Sequence, residues 1–160
     1  MFHALASAAA TWSAWYSDSA PLRTAIGFVH VSGLLIGGGA AVVEDRAVLS
    51  IDRSDLAAQQ RQLGRHPGAH HVVLAGLVAV FASGALMVAA DPGTYFHARV
   101  FWIKMAFVVA LLLNGALMTR TWRTLIPRDA SRWMRLRREA LTSLTLWILA
   151  TLLGAALPNV

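Results

Sequence analysis

The stretch Thr94–Gly115, TYFHARVFWIKMAFVVALLLNG, decides the fold. Between Ala98 and Met118 the only charged side chains are Arg99 and Lys104, and the rest is almost wholly apolar. A run of about 20 apolar residues is what a helix needs to cross the hydrocarbon core of a bilayer. Three further runs of this kind lie at residues 22–43, 71–90 and 140–157. The chain as a whole is 57% hydrophobic and only 14% charged, against about 45–50% apolar for an ordinary soluble domain. The fold expected is all-α. It is an integral membrane four-helix bundle over residues 21–160, with spans at 22–43, 71–90, 98–118 and 140–157. Residues 1–20 precede it as an interfacial amphipathic helix, because Trp12, Trp15 and Tyr16 suit the headgroup layer. The N-terminus has no basic region ahead of an apolar core, so a cleaved signal peptide is not expected.

Charge supplies the orientation. The net charge is +6, but the arginines are not spread evenly. Arg46, Arg53, Arg61 and Arg65 fall between the first two spans. Arg120, Arg123, Arg128, Arg132, Arg135, Arg137 and Arg138 fall between the last two. The loop DPGTYFH between the second and third spans has none. This alternation is the positive-inside pattern. It places the chain in a bacterial inner membrane, with the basic loops cytoplasmic and both termini periplasmic. The partner expected of this charge is the lipid bilayer with its anionic headgroups, and no nucleic acid. There is no cysteine, which excludes disulfides, thiolate metal sites and thiol nucleophiles. No phosphate-binding loop is present either, since the glycines at 37–39 lie within a span.

Local signals divide the chain further. Pro21 opens the first helix, which exits at Glu44, Asp45 and Arg46, where an arginine partner for the two acids is expected. The first loop is long enough for a surface helix capped by Asp52 or Ser54 and ended by Gly64, with Pro67 in the first turn of the second span. Ala90–Gly93 separates the second helix from the third, and Pro127 splits the last basic loop.

Ionisable groups at membrane depth are expensive and face the bundle interior. His30 and Lys104 are the two here, each roughly 9–12 Å below the outer surface by helical rise. His97 lies seven residues before Lys104, so it is expected on the same face of that helix, nearer the surface. Lys104 is the only lysine in a chain that otherwise uses arginine. A lysine is a compact donor to a carboxylate, although snorkelling to the headgroups is open to it too. Gly33 and Gly37 follow His30 on its own helical face. They leave either a close helix crossing or a slot for a planar macrocycle. His70 and His71, with His66 before them, open the second span roughly 16–20 Å from His30. They form either a polar interfacial cluster or a second site.

A histidine in the first helix (FVHVSGLLIGGG, His30) and a lysine early in the third (FWIKMAFVVALLLNG, Lys104) resemble the HemJ-type protoporphyrinogen oxidases. They are also similar to the CopD-like group of small four-helix membrane proteins. In the first family one histidine and one lysine at these places act together and b-type haem is bound. Trp102 and Asn114 stand here where that family carries further histidines. The resemblance implies haem b, with His30 and His97 as candidate iron ligands, Met87 and Met105 as further ones, and Lys104 beside a propionate. The role would be electron transfer, or porphyrin or quinone redox chemistry, as in a membrane oxidoreductase with a membrane redox partner. Copper handling through His30, His97 and Met87 is the alternative. A third is an accessory subunit of a larger respiratory or photosynthetic membrane complex.

Overall fold

Each helix begins where its sequence offers a cap. In the computed structural model, which describes residues 2–52, 55–126 and 129–157 (not the side chains of 2–6, 8 and 65–67), α1 spans Phe2–Asp18. Ser19 then caps α2, Ala20–Ser50, its hydroxyl accepting from the Leu22 amide at 3.3 Å with Pro21 in the first turn. Asp55 accepts from Ala58 at 2.9 Å and starts α3, Leu56–Ala90. Asp91 accepts from Thr94 at 3.1 Å and starts the short α4, Pro92–His97. Ala98 is extended and α5 follows over Arg99–Arg123. Asp129 accepts from Arg132 at 3.1 Å and starts α6, Ala130–Ala156. Among the described residues there is no strand. Four helices, Ala20–Ser50, Gly68–Ala90, Arg99–Arg123 and Ala130–Ala156, are long and apolar enough to cross a membrane. The chain is an all-α membrane bundle.

Two local readings are revised. The surface helix and the second span are one continuous helix, running through Gly64 and Pro67. Its cap is Asp55, whereas Ser54 lies outside the described residues, as does Pro127. Packing overrides the break signals: Gln62 donates to Glu44 at 2.9 Å, Gln59 is buried, and Leu63 rests on the core. Asp45 pairs with no arginine among the described residues, and Arg53 lies outside them. It is buried, beside Ser143 of α6.

The four spans pack as two pairs, α2 with α3 and α5 with α6. At the arginine-rich end the pairs join. Val48, Trp122, Trp133, Leu136 and Ala140 form one apolar core there. Beside it, Glu139 accepts from Thr121 at 3.0 Å and from Arg135 at 2.9 Å. A second layer, Ala41, Leu111 and Trp147, closes the middle of the bundle. Towards the other end the pairs part. The first half of α2, Ala20–Gly33, keeps to α1 and α3, while its second half, Gly39–Ser50, packs on both α3 and α6. Between the halves, Leu34–Gly38 is π-helical, a widened turn of the kind that recurs at functional sites. Its glycines explain the close packing there. A Cβ on Gly37 would lie 2.8 Å from the Gly76 Cα, and one on Gly38 would lie 3.2 Å from the Trp147 ring. On the outside, large apolar side chains such as Phe28, Leu35, Leu113 and Ile148 face away from the protein, as lipid-facing residues do.

Candidate ligand-binding site between the helix pairs

Where the pairs part, α3 and α5 make no more than glancing contact. The gap is a cavity of about 790 Å³, within the range of small-molecule and cofactor pockets. Its walls are largely apolar: Val80, Phe81, Val88, Phe101 and Val108 contribute much of them. Four kinds of polar or polarisable group interrupt those walls. His30 comes from α2, Lys104 from α5, Thr94 and Tyr95 from α4, and the thioethers of Met87 and Met105 from α3 and α5.

His30 is held by α3. Its Nδ1 lies 3.0 Å from the Ser83 hydroxyl. Ser83 is itself buried, and its Oγ lies 2.5 Å from the Ala79 carbonyl. A carbonyl cannot donate, so the single hydroxyl proton belongs to that short bond. Ser83 therefore accepts from His30, and Nδ1 carries the imidazole proton. This leaves the lone pair on Nε2, the state of a metal-ligating histidine whose second nitrogen is fixed by a hydrogen bond. Gly84 makes the room, since a Cβ there would lie 3.3 Å from the His30 Cε1.

Lys104 shares the cavity with His30, as their matched depths lead one to expect. It is partly buried, and its ammonium has no hydrogen-bond or carboxylate partner among the described residues. Gly154 of α6 faces it, and a Cβ there would come within 3.4 Å of Nζ. A cation at membrane depth without a protein partner is costly, so an acidic group of a ligand would complete it. Tyr95 adds a donor. Burial, and then the neighbouring Tyr16 and Asp91, push its phenol above the usual tyrosine range, so it keeps its proton at neutral pH.

Other residues singled out from sequence stand elsewhere. His97 is exposed, and its Nδ1 contacts the Gly93 carbonyl at 2.6 Å within α4. The chain turns extended at Ala98, so 97 and 104 do not share a helix and their seven-residue spacing carries no common face. Gly33 and Gly37 do lie on the seam that His30 lies on, but the space beside them is filled by α3. A Cβ on Gly76 would meet the Gly37 Cα at 2.4 Å. His70 and His71 are neighbours with ring centroids 6.4 Å apart, far down α3 from the cavity. The side chain of His66 lies outside the described residues. No group of three or more His, Cys, Asp or Glu side chains placed to hold a metal exists among the described residues.

Residues that sequence reasoning passed over complete the site. Ser83 and Gly84 were legible only as small residues, and Tyr95 and Phe101 only as aromatics near a helix start. The N-terminal helix also belongs here. Trp12 donates to the Leu86 carbonyl at 3.0 Å and Ser13 to the Ala90 carbonyl at 2.7 Å. These bonds pin α1 across the open end of α3, with Ala9 in the cavity wall. Arg23 donates to the Tyr16 and Ser17 carbonyls and holds the end of α1. Family models, characterised proteins and solved structures yield no match to the chain.

Proposed function

We propose that this membrane protein binds a b-type haem in the cavity between its helix pairs and serves electron transfer or the redox chemistry of a porphyrin or quinone. One observation carries the reading. A histidine hydrogen-bonded at Nδ1 to Ser83, with Nε2 left for a ligand, shares an apolar cavity with a lysine that has no partner among the described residues. The donor set fits the group: an imidazole for iron, a cation for a propionate, two thioethers, and flat aromatic and aliphatic walls. His30 would hold the iron and Lys104 the acid edge. Ser83 keeps the imidazole turned, and the apolar walls keep water from the site. Bound haem would supply one-electron chemistry, while the protein supplies position and field. The arginine-rich end would be cytoplasmic, in a bacterial inner membrane.

A copper site is the second reading, favoured by the Met87 and Met105 sulfurs that share the cavity with His30. His97, outside the cavity, no longer adds a second imidazole to that set. The test is a visible spectrum of detergent-purified protein, oxidised and dithionite-reduced, with metal analysis of the same sample. A Soret band that shifts on reduction and is lost in His30→Ala supports haem. Bound copper without that band supports the second reading. A featureless, metal-free protein sinks both, and a role as a packing subunit in a larger membrane complex then takes their place.

A further inference from the structure

The cavity is open at membrane depth. α3 and α5 flank it without packing on each other. Phe81 stands at its rim, 70% exposed, in the middle of a span. A large aromatic ring in that position faces acyl chains. At the aqueous end the situation is the reverse: α1 is bonded across the end of α3, and α4 crosses from α3 to α5 with Thr94, Tyr95 and Phe96 in the wall. Phe96 also stacks on Trp102, with centroids 5.9 Å apart, and Trp102 Nε1 donates to the Phe96 carbonyl at 3.0 Å. The end nearest water is thus spanned by α1 and α4, held in place by hydrogen bonds and ring contacts, and the side nearest lipid is left unpaired.

From this, and resting on the reading that the cavity is the functional site, we infer that the cavity is loaded from the bilayer. Its ligand is a membrane-dissolved amphiphile whose carboxylate head meets Lys104 and whose apolar body enters between α3 and α5 past Phe81. Charge complementarity fixes the head, because Lys104 is the one cation in the cavity wall and lacks a partner among the described residues. The walls fix the body, since they are largely apolar and no acidic side chain among the described residues lines the cavity. An ammonium left alone in a low-dielectric site favours an anion strongly. A ligand already dissolved in lipid also needs no passage past α1 and α4.

The chain has no cysteine, so one engineered thiol reports one position. Phe81→Cys carrying a small thiol-reactive fluorophore is placed in phosphatidylcholine vesicles. Quenching is then followed with a nitroxide-labelled long-chain fatty acid, nitroxide-labelled phosphatidylcholine and a water-soluble nitroxide. Val109→Cys, exposed on α5 away from the cavity, is the comparison. The expected result is saturable quenching by the fatty acid at position 81 only, with half-saturation weakened about tenfold or more by Lys104→Gln. Linear quenching equal at both positions, or unchanged by Lys104→Gln, overturns the inference. So does quenching at position 81 by the soluble nitroxide alone, which would mean a water-filled entrance. Haem spectra of the same samples keep the two readings apart. Haem bound with a water-side entrance removes only the inference, whereas saturable fatty-acid binding without haem removes only the haem reading.

Discussion

Ser83 is the residue on which the site's chemistry turns. Its hydroxyl passes a hydrogen bond from His30 to the Ala79 carbonyl and so decides which imidazole nitrogen has a lone pair. Ser83→Ala would remove that restraint without emptying the cavity. A group that hydrogen-bonds the far nitrogen of a ligating histidine typically matters 10–100-fold to affinity. If the cavity holds haem as proposed, the expected outcome is haem affinity reduced about tenfold, with the folded state kept, read by spectral titration beside far-UV circular dichroism. Unchanged affinity would show that His30 is oriented by its packing against Gly84 alone. The sequence displays His30 and Lys104 plainly because ionisable groups are rare at membrane depth. A serine among alanines and glycines carries no such mark, and its role exists only once α3 lies against α2.

At the level of elements, the α2–α3 crossing is set by backbone contact. A Cβ on Gly76 would fall 2.4 Å from the Gly37 Cα and 2.7 Å from the Gly33 carbonyl oxygen, and neither is the end of a flexible side chain. Gly76→Val should therefore force the helices apart and cost roughly 1–3 kcal/mol or more as overpacking. Thermal unfolding in detergent would show it, with Gly39→Val, where nothing lies within 4 Å, as the tolerant control. Helix starts give a pH prediction. The Asp129 carboxyl is held below the usual range, first by the Ser131 hydroxyl and then by the Arg132 amide and guanidinium. A lowered folded value means that its contribution is present above the ordinary carboxylate range and is lost as pH falls through the folded one. The stability gap between the parent and Asp129→Ala should be flat from neutral pH to about 4 and shrink below it. A gap that persists at lower pH would show that the cap does not depend on charge. The caps at Ser19, Asp55, Asp91 and Asp129 follow known residue preferences. The continuity of α3 through Gly64 and Pro67 does not, because Gln62 and Leu63 find partners only across the fold.

Taken as a whole molecule, the bundle is closed at its arginine-rich end, and its helix pairs part around the cavity towards the other. Trp147 is the floor between the two, packed on Gly38 within the π-helical turn and on Leu111 and Ala41. Trp147→Ala would remove a buried indole at the level where the helix pairs diverge. A cost of about 3–5 kcal/mol is expected, together with loss of ligand binding, measurable by denaturant unfolding and spectral titration. Full stability in that variant would mean that the pairs are held by the arginine-rich end alone. There, Glu139 accepts from Thr121 and Arg135 while Asn114 donates to its backbone carbonyl at 3.0 Å, a polar network no periodicity argument reveals.

Composition and the length of the apolar runs fix an all-α membrane bundle, since a backbone in lipid must satisfy its own hydrogen bonds and helices do so locally. They also fix the shared depth of His30 and Lys104, because helical rise is constant. Which faces meet is a different matter. That His30 turns to Ser83 and Gly84, that His97 is cut off from Lys104 at Ala98, and that α3 and α5 stand apart around a cavity all depend on contacts between segments distant in the chain. Each local stretch is compatible with several such arrangements, and side-chain packing across the bundle selects one.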